Sequence, residues 1–129
     1  MRAVLLAGAA LALAGAASGD SRSPLDRALA GRVAGAPVRC IDNPTNQGPE
    51  VIDSRTIIYR DVSRLWVNHL PEACPSLSDN AILIVNVYGG QLCENDRFRT
   101  VERESPIPSG YCRLGDFTPY QRVAKAKPH

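Results

Sequence analysis

Hydrophobic and polar positions divide the chain into an apolar leader, a short helical stretch and a long β-patterned region. Residues 3 to 17 are almost wholly Ala, Leu, Val and Gly, with no polar face. At Leu25, Ala28 and Leu29 the apolar spacing becomes helical, with Ser23 suited to the N-cap and Pro24 to the first helical position. A short helix is therefore predicted before Gly31. Ile41 to Glu50 is turn chemistry and reads as a loop. From Val51 onward the pattern is β. Thr56–Arg60 and Leu65–Asn68 are rich in branched and aromatic residues, and the four residues Asp61 to Arg64 between them predict a hairpin. Ala81 to Tyr88 is a nearly continuous apolar run, which predicts a central strand buried on both faces and turned by Gly89-Gly90. Arg97 to Glu102 alternates, and Tyr111 to Leu114 reads as a final strand. No strand is followed by a long helical pattern, which argues against parallel α/β architecture. The expectation is a mainly β fold: a small antiparallel barrel or sandwich of five to six strands with a short N-terminal helix.

The apolar leader behind Arg2 is shorter than the roughly 20 residues that a spanning helix needs. Small residues at Ala14, Ala16 and Ser18 suit signal peptidase, so residues 1–19 are read as a removable export signal. No cysteine follows the run to accept a lipid. The remainder divides into a lead-in with the short helix (20–37), a single β domain (38–120) and a flexible tail (121–129). The expected product is periplasmic or secreted, with no membrane attachment after the signal is removed.

Composition narrows the partners. Among 129 residues, 15 Lys and Arg face 13 Asp and Glu, for a net charge of +2. That balance creates no single-sign field and makes no case for nucleic acid or anionic lipid. The four cysteines, Cys40, Cys74, Cys93 and Cys112, include no Cys-x-x-Cys pair, so neither a zinc knuckle nor a thiol redox site is indicated. No metal and no cofactor is expected. Two structural disulfides are, each worth about 3 to 4.5 kcal/mol on the loop-entropy model. Loop entropy does not choose between pairings; the favoured one joins Cys74 to Cys93 and Cys40 to Cys112.

Six short pieces of sequence carry a resemblance: Cys40-Ile41, Asp53-x-x-Thr56-Ile57, Asn68-x-Leu70-Pro71, Cys74-Pro75-x-Leu77, Gln91-Leu92-Cys93 and Cys112-x-Leu114-Gly115. Over roughly Cys40 to Thr118 the chain resembles a family of short exported bacterial proteins described as a domain of unknown function. The resemblance implies an exported domain whose four cysteines are structural. It implies no activity and transfers no functional residue.

Candidate chemistry is sparse. His69 is the one histidine away from the C-terminus, and no Gly-x-Ser-x-Gly elbow accompanies it. Glu50, Asp53, Asp96 and Asp116 are the carboxylates from which an acid and base pair would have to come. Asp53 and Asp116 lie in turn sequences, where carboxylates accept backbone hydrogen bonds. No catalytic residue is assigned. The arginines Arg55, Arg60, Arg64, Arg97, Arg99, Arg103 and Arg113 fall on predicted strands and turns, and their forks match carboxylates and phosphates. Arg55, Arg60, Trp66, His69, Arg97 and Arg99 are the candidate contacts to a ligand or partner, with Tyr59 as further stacking surface. The leading expectation is a non-enzymatic binding or structural module, its partner an envelope protein or an anionic small ligand. Two alternatives stand beside it. One is an inhibitor of an envelope or foreign hydrolase, inserting the loop at Leu70 to Leu77 or Ser105 to Tyr111. The other is a small hydrolase using His69 or a carboxylate pair.

Overall fold

The computed structural model describes residues 8–11, 15, 19, 21–44 and 47–124. The signal reading for residues 1–19 lies mostly outside the described residues, and positions 125–129 of the tail lie wholly outside them. One helix, α1 (Pro24–Ala28), precedes ten strands: β1 (Arg32–Ala34), β2 (Cys40–Asp42), β3 (Glu50–Asp53), β4 (Thr56–Arg60), β5 (Arg64–His69), β6 (Ala81–Val85), β7 (Gln91–Cys93), β8 (Arg97–Glu102), β9 (Cys112–Arg113) and β10 (Phe117–Arg122). They form three antiparallel sheets, of orders β1-β10-β5-β4-β3, β2-β7 and β6-β8-β9. The fold is mainly β, as expected, but the described residues form ten strands rather than five or six. None of the three sheets closes into a barrel.

Two apolar layers hold the five-stranded sheet. On one face Ile58, Leu65 and Val67 pack with Leu25, Ala28 and Leu29 of the helical segment. Ser23 caps that helix, accepting a hydrogen bond from the Asp26 N–H at 3.1 Å. On the other face Ile57, Tyr59 and Phe117 join Ile41, Leu70, Cys74, Leu77, Leu92, Phe98 and Leu114. The alternation of strand side chains produces both layers, because neighbours in β4 point to opposite faces. The two smaller sheets thus cover the inner face of the large one.

The β4–β5 hairpin forms in the expected place, with a tighter loop than the four residues foreseen. Arg60 stands opposite Leu65 and the Asp61 N–H donates to the Arg64 carbonyl at 2.9 Å, leaving only Val62-Ser63 to turn. Gly89 and Gly90 do take positive φ, at 64° and 75°. The run from Ala81 departs from expectation. It ends as a strand at Val85, lies at the edge of its sheet, and leaves Ile82 and Ile84 each 46% exposed. A continuous apolar run signals hydrophobic character on both faces, and here the described residues leave the outer one half-exposed. Of the stretch Ile41 to Glu50 read as a loop, Ile41 and Asp42 lie in β2 and Glu50 opens β3. The strand carrying Cys112 is not the last, since β10 follows it and lies between β1 and β5.

The disulfide pairing also differs. The bonds are Cys40–Cys93 and Cys74–Cys112, not Cys74–Cys93 and Cys40–Cys112. The reason is register. β2 pairs with β7 so that Cys40 faces Cys93 directly, with Cα atoms 4.0 Å apart. Cys74 is completely buried within the loop that follows β5 and reaches Cys112 of β9 from inside the core.

Candidate anion-binding face

The structure separates the sequence-nominated arginines into those already engaged and those left open. Arg55 is engaged: its Nε donates to the Leu70 carbonyl at 3.2 Å and an Nη to the Pro71 carbonyl at 2.8 Å. With the Cys74 N–H donating to the Ser54 carbonyl at 2.7 Å, Arg55 fastens the loop that follows β5. Arg60 is ion-paired to Glu50 at 2.7 Å. Arg64 lies over the Trp66 ring at 4.9 Å and reaches Asp61 at 3.8 Å. Trp66 is half-buried against the inner core, and His69 is exposed at the end of β5. These residues serve different parts of the molecule and do not converge.

Arg97 and Arg99 do converge, with two residues beyond the nominated six. Side chains at Arg97 and Arg113 stand directly opposite each other in the β8–β9 pair. Tyr111, 57% exposed, has both β8 guanidiniums against its ring: the Arg99 Cζ is 4.9 Å from the ring centroid and the Arg97 Cζ 5.8 Å. The ring's negative face favours both cations. Arg99 is further fixed by its Nε, which donates to the Ser109 carbonyl at 2.8 Å. None of Arg97, Arg99 and Arg113 has a carboxylate within ion-pair distance among the described residues. Beside them opens a cleft of about 470 Å³ between the β5–β6 loop and the start of β9. Tyr111 and Arg113 form one wall, Glu72 and Pro75 line it as well, and Asn95 completes it with a positive φ of 71°. Arg113 in a cleft whose lining also holds Glu72 and Asn95, with Arg97 directly across the strand pair, suits a ligand with an anionic group and a hydrogen-bond-donating body.

Sequence alone shows Arg113 as one of several strand arginines and Tyr111 as the end of a candidate inserting loop, not as a partner of the arginines. The signal that selects both is the cross-strand register, which needs β9 to be placed first.

A second like-charge pair exists. Arg32 faces Arg122 across β1 and β10, and Arg32 donates from Nη1 to the Tyr120 carbonyl at 3.3 Å. Burial, and then the Arg122 and Arg60 guanidiniums, hold Arg32 below the usual arginine range. This pair has no exposed aromatic ring beside it, and Glu50 already neutralises Arg60.

The carboxylates are dispersed. The Arg55 N–H donates to Asp53 Oδ1 at 2.8 Å, the turn bond expected there, and the Cys93 N–H donates to Asp96 Oδ2 at 2.7 Å. Glu50 holds Arg60. Three of the four carboxylates considered for catalysis are thus bound within the fold, Glu50 and Asp53 at the two ends of β3 and Asp96 between β7 and β8. No group of three or more His, Cys, Asp or Glu side chains poised to hold a metal occurs among the described residues. Nor does any helix among them have the length and apolarity to cross a membrane. Compared with protein-family models, curated proteins and solved structures, the chain matches none.

Proposed function

We propose that the protein is an exported binding module of the bacterial periplasm or exterior, and that its β8–β9 face takes an anionic group. The group is a carboxylate or phosphate, presented by a small ligand or by an acidic loop of an envelope protein. The observation that carries this reading is the direct opposition of Arg97 and Arg113, with no acidic neighbour within ion-pair distance. Like charges in cross-strand register destabilise a sheet by a few tenths of a kcal/mol or more. An anion between them converts that repulsion into attraction, and the Tyr111 ring keeps two guanidiniums preorganised to meet it. Export is supported by the apolar leader and by two disulfides, which persist in oxidising compartments. The family resemblance fits the same picture, because its motif residues make both disulfides and much of the inner core. Packing of the large sheet on the two small ones favours the sandwich form of the fold.

Titration calorimetry with citrate as probe, at low ionic strength, tests the site. Arg113→Ala and Tyr111→Ala should each weaken binding by about tenfold, the worth of one charge-assisted contact. Arg103→Ala, which changes net charge equally on another part of the surface, should have little effect. Equal losses for all three variants, or no saturable binding, would contradict the reading.

A second reading draws on the loop from Leu70 to Leu77. Arg55, the Ser54 carbonyl and the Cys74–Cys112 bond hold it, while Pro71, Glu72, Ala73 and Pro75 remain exposed. A loop so fixed loses little entropy on insertion into a cleft, which suits an inhibitor of a hydrolase. Inhibition in a hydrolase panel that is abolished by Glu72→Ala or Ala73→Arg, but not by Arg113→Ala, would favour it over the anion-binding reading.

A further inference from the structure

Strand β6 is an edge, and it has none of the features that usually keep edges from pairing. Ala81 to Val85 contains no charge and no proline, and its register with β8 runs without a bulge. The Asn86 N–H donates to the Arg97 carbonyl at 3.3 Å, which sets the phase of the ladder. Ile82 and Ile84 therefore turn their backbone groups toward β8, while Leu83 and Val85 present N–H and C=O to the open side. On the outer face Ile82 and Ile84 are each 46% exposed.

We infer that β6 pairs with β6 of a second copy of this chain, making one antiparallel sheet across a two-fold axis. The side-chain pattern selects a copy of itself as the occupant. From Leu83 outward the strand reads the same in both directions: isoleucine first, then a small or branched residue, Ala81 or Val85. A two-fold interface demands such self-complementarity. An axis at Leu83 sets Ile82 against the second copy's Ile84 and Ala81 against its Val85, so both exposed isoleucines gain cross-strand partners. Each Leu83 bonds to its counterpart, and each Val85 N–H meets the other copy's Ala81 carbonyl. The Ala81 N–H stays with the Ser78 carbonyl at 3.0 Å. Charge favours the same direction of pairing. Asp79 precedes the strand and Arg97 lies across from its far end, and neither has an ion-pair partner among the described residues. Antiparallel pairing brings Asp79 to the end that carries the partner's Arg97, whereas parallel pairing would set like charges together.

The contact is smaller than a standard interface of roughly 800 Å² per partner, so the dissociation constant should be on the order of 10–100 μM. Sedimentation equilibrium of the full, disulfide-intact chain should show a monomer–dimer equilibrium in that range. Ile84→Lys should raise the dissociation constant by more than about tenfold, and it alters an outer-face side chain that the core does not use. Hydrogen exchange on the unmodified protein gives a second readout: the Leu83 and Val85 amides should be slow at high concentration and fast on dilution. A monomer at about 1 mM, open-ended assembly, association indifferent to Ile84→Lys, fast Leu83 and Val85 exchange in the dimer, or pairing of β6 only with a foreign chain would each overturn the inference.

Discussion

Asn68→Ala removes the polar tie between the five-stranded sheet and the segment leaving β9. Asn68 is completely buried on the inner face of β5. Its Nδ2 donates to the Gly115 carbonyl and its Oδ1 accepts from the Gly115 N–H, both at 2.8 Å. The alanine variant loses two hydrogen bonds, each worth about 1 kcal/mol net, and strands two buried backbone groups at about 1–3 kcal/mol each. Water entering the vacated space recovers part of that loss. The expected net cost is about 3 kcal/mol, or a melting temperature lower by about 12–24 °C for a domain near 100 residues. Gly115 cannot shift to compensate, since even a Cβ there would overlap the His69 carbonyl oxygen. Urea unfolding under non-reducing conditions, followed by the fluorescence of the single tryptophan, Trp66, measures the loss. Asn86→Ala, at an exposed position, is the control and should stay within about 0.5 kcal/mol of the native chain. If Asn68→Ala also stays within that margin, the bidentate tie is not a structural determinant and the reasoning fails.

Two further outcomes follow from the buried groups. The Tyr59 hydroxyl is buried without a hydrogen-bond partner among the described residues, and burial pushes its phenol well above the ordinary tyrosine range. The folded state thus keeps a proton that the unfolded chain releases above about pH 10, so this contribution is whole below that pH and declines as pH rises through the folded value. Tyr59→Phe should leave stability at neutral pH equal or higher by about 1 kcal/mol and flatten the loss between pH 9 and 11, read by denaturant titration; a marked loss at neutral pH would show that the hydroxyl has a partner. For the disulfides, Asp-N digestion without reductant should yield linked peptides joining Cys40 to Cys93 and Cys74 to Cys112. Cleavage before Asp79 separates Cys74 from Cys93, which trypsin cannot do because no Lys or Arg lies between them. A peptide linking Cys74 to Cys93 would refute the pairing.

The elements legible in the sequence were those whose local signals agreed with their tertiary setting. The α1 helix had its serine cap and proline, and β4 and β5 had branched residues at strand spacing. β10 escaped notice because Pro119 sits in its middle, which argues against a strand between two neighbours. It is tolerated because the backbone of Pro119 faces Gly35, just past the end of β1, where only its carbonyl is used, accepting from the Gly35 N–H at 2.8 Å. The strands β1, β2 and β7 are three residues long, too short to display a period. Misplacing β2 in a loop also misdirected the disulfides, since Cys40 meets Cys93 only through the β2–β7 register. For the site, the residue type was readable and the partner was not. In sequence Arg55 and Arg60 are equivalent to Arg97; in the fold the Leu70 and Pro71 carbonyls occupy Arg55 and Glu50 occupies Arg60. Tyr111 is tied to the arginines only through the β8–β9 pairing, which brings its ring beside β8.

The most direct measurement of the central claim is an NMR titration of the oxidised, isotope-labelled protein with unlabelled citrate, following backbone amides and arginine Nε–Hε signals together. The account predicts saturable shifts concentrated at Arg97, Arg99, Tyr111 and Arg113 and along the adjoining cleft, fading as salt is raised. Shifts spread evenly over every arginine, or gathered instead at Arg32 and Arg122, would contradict it.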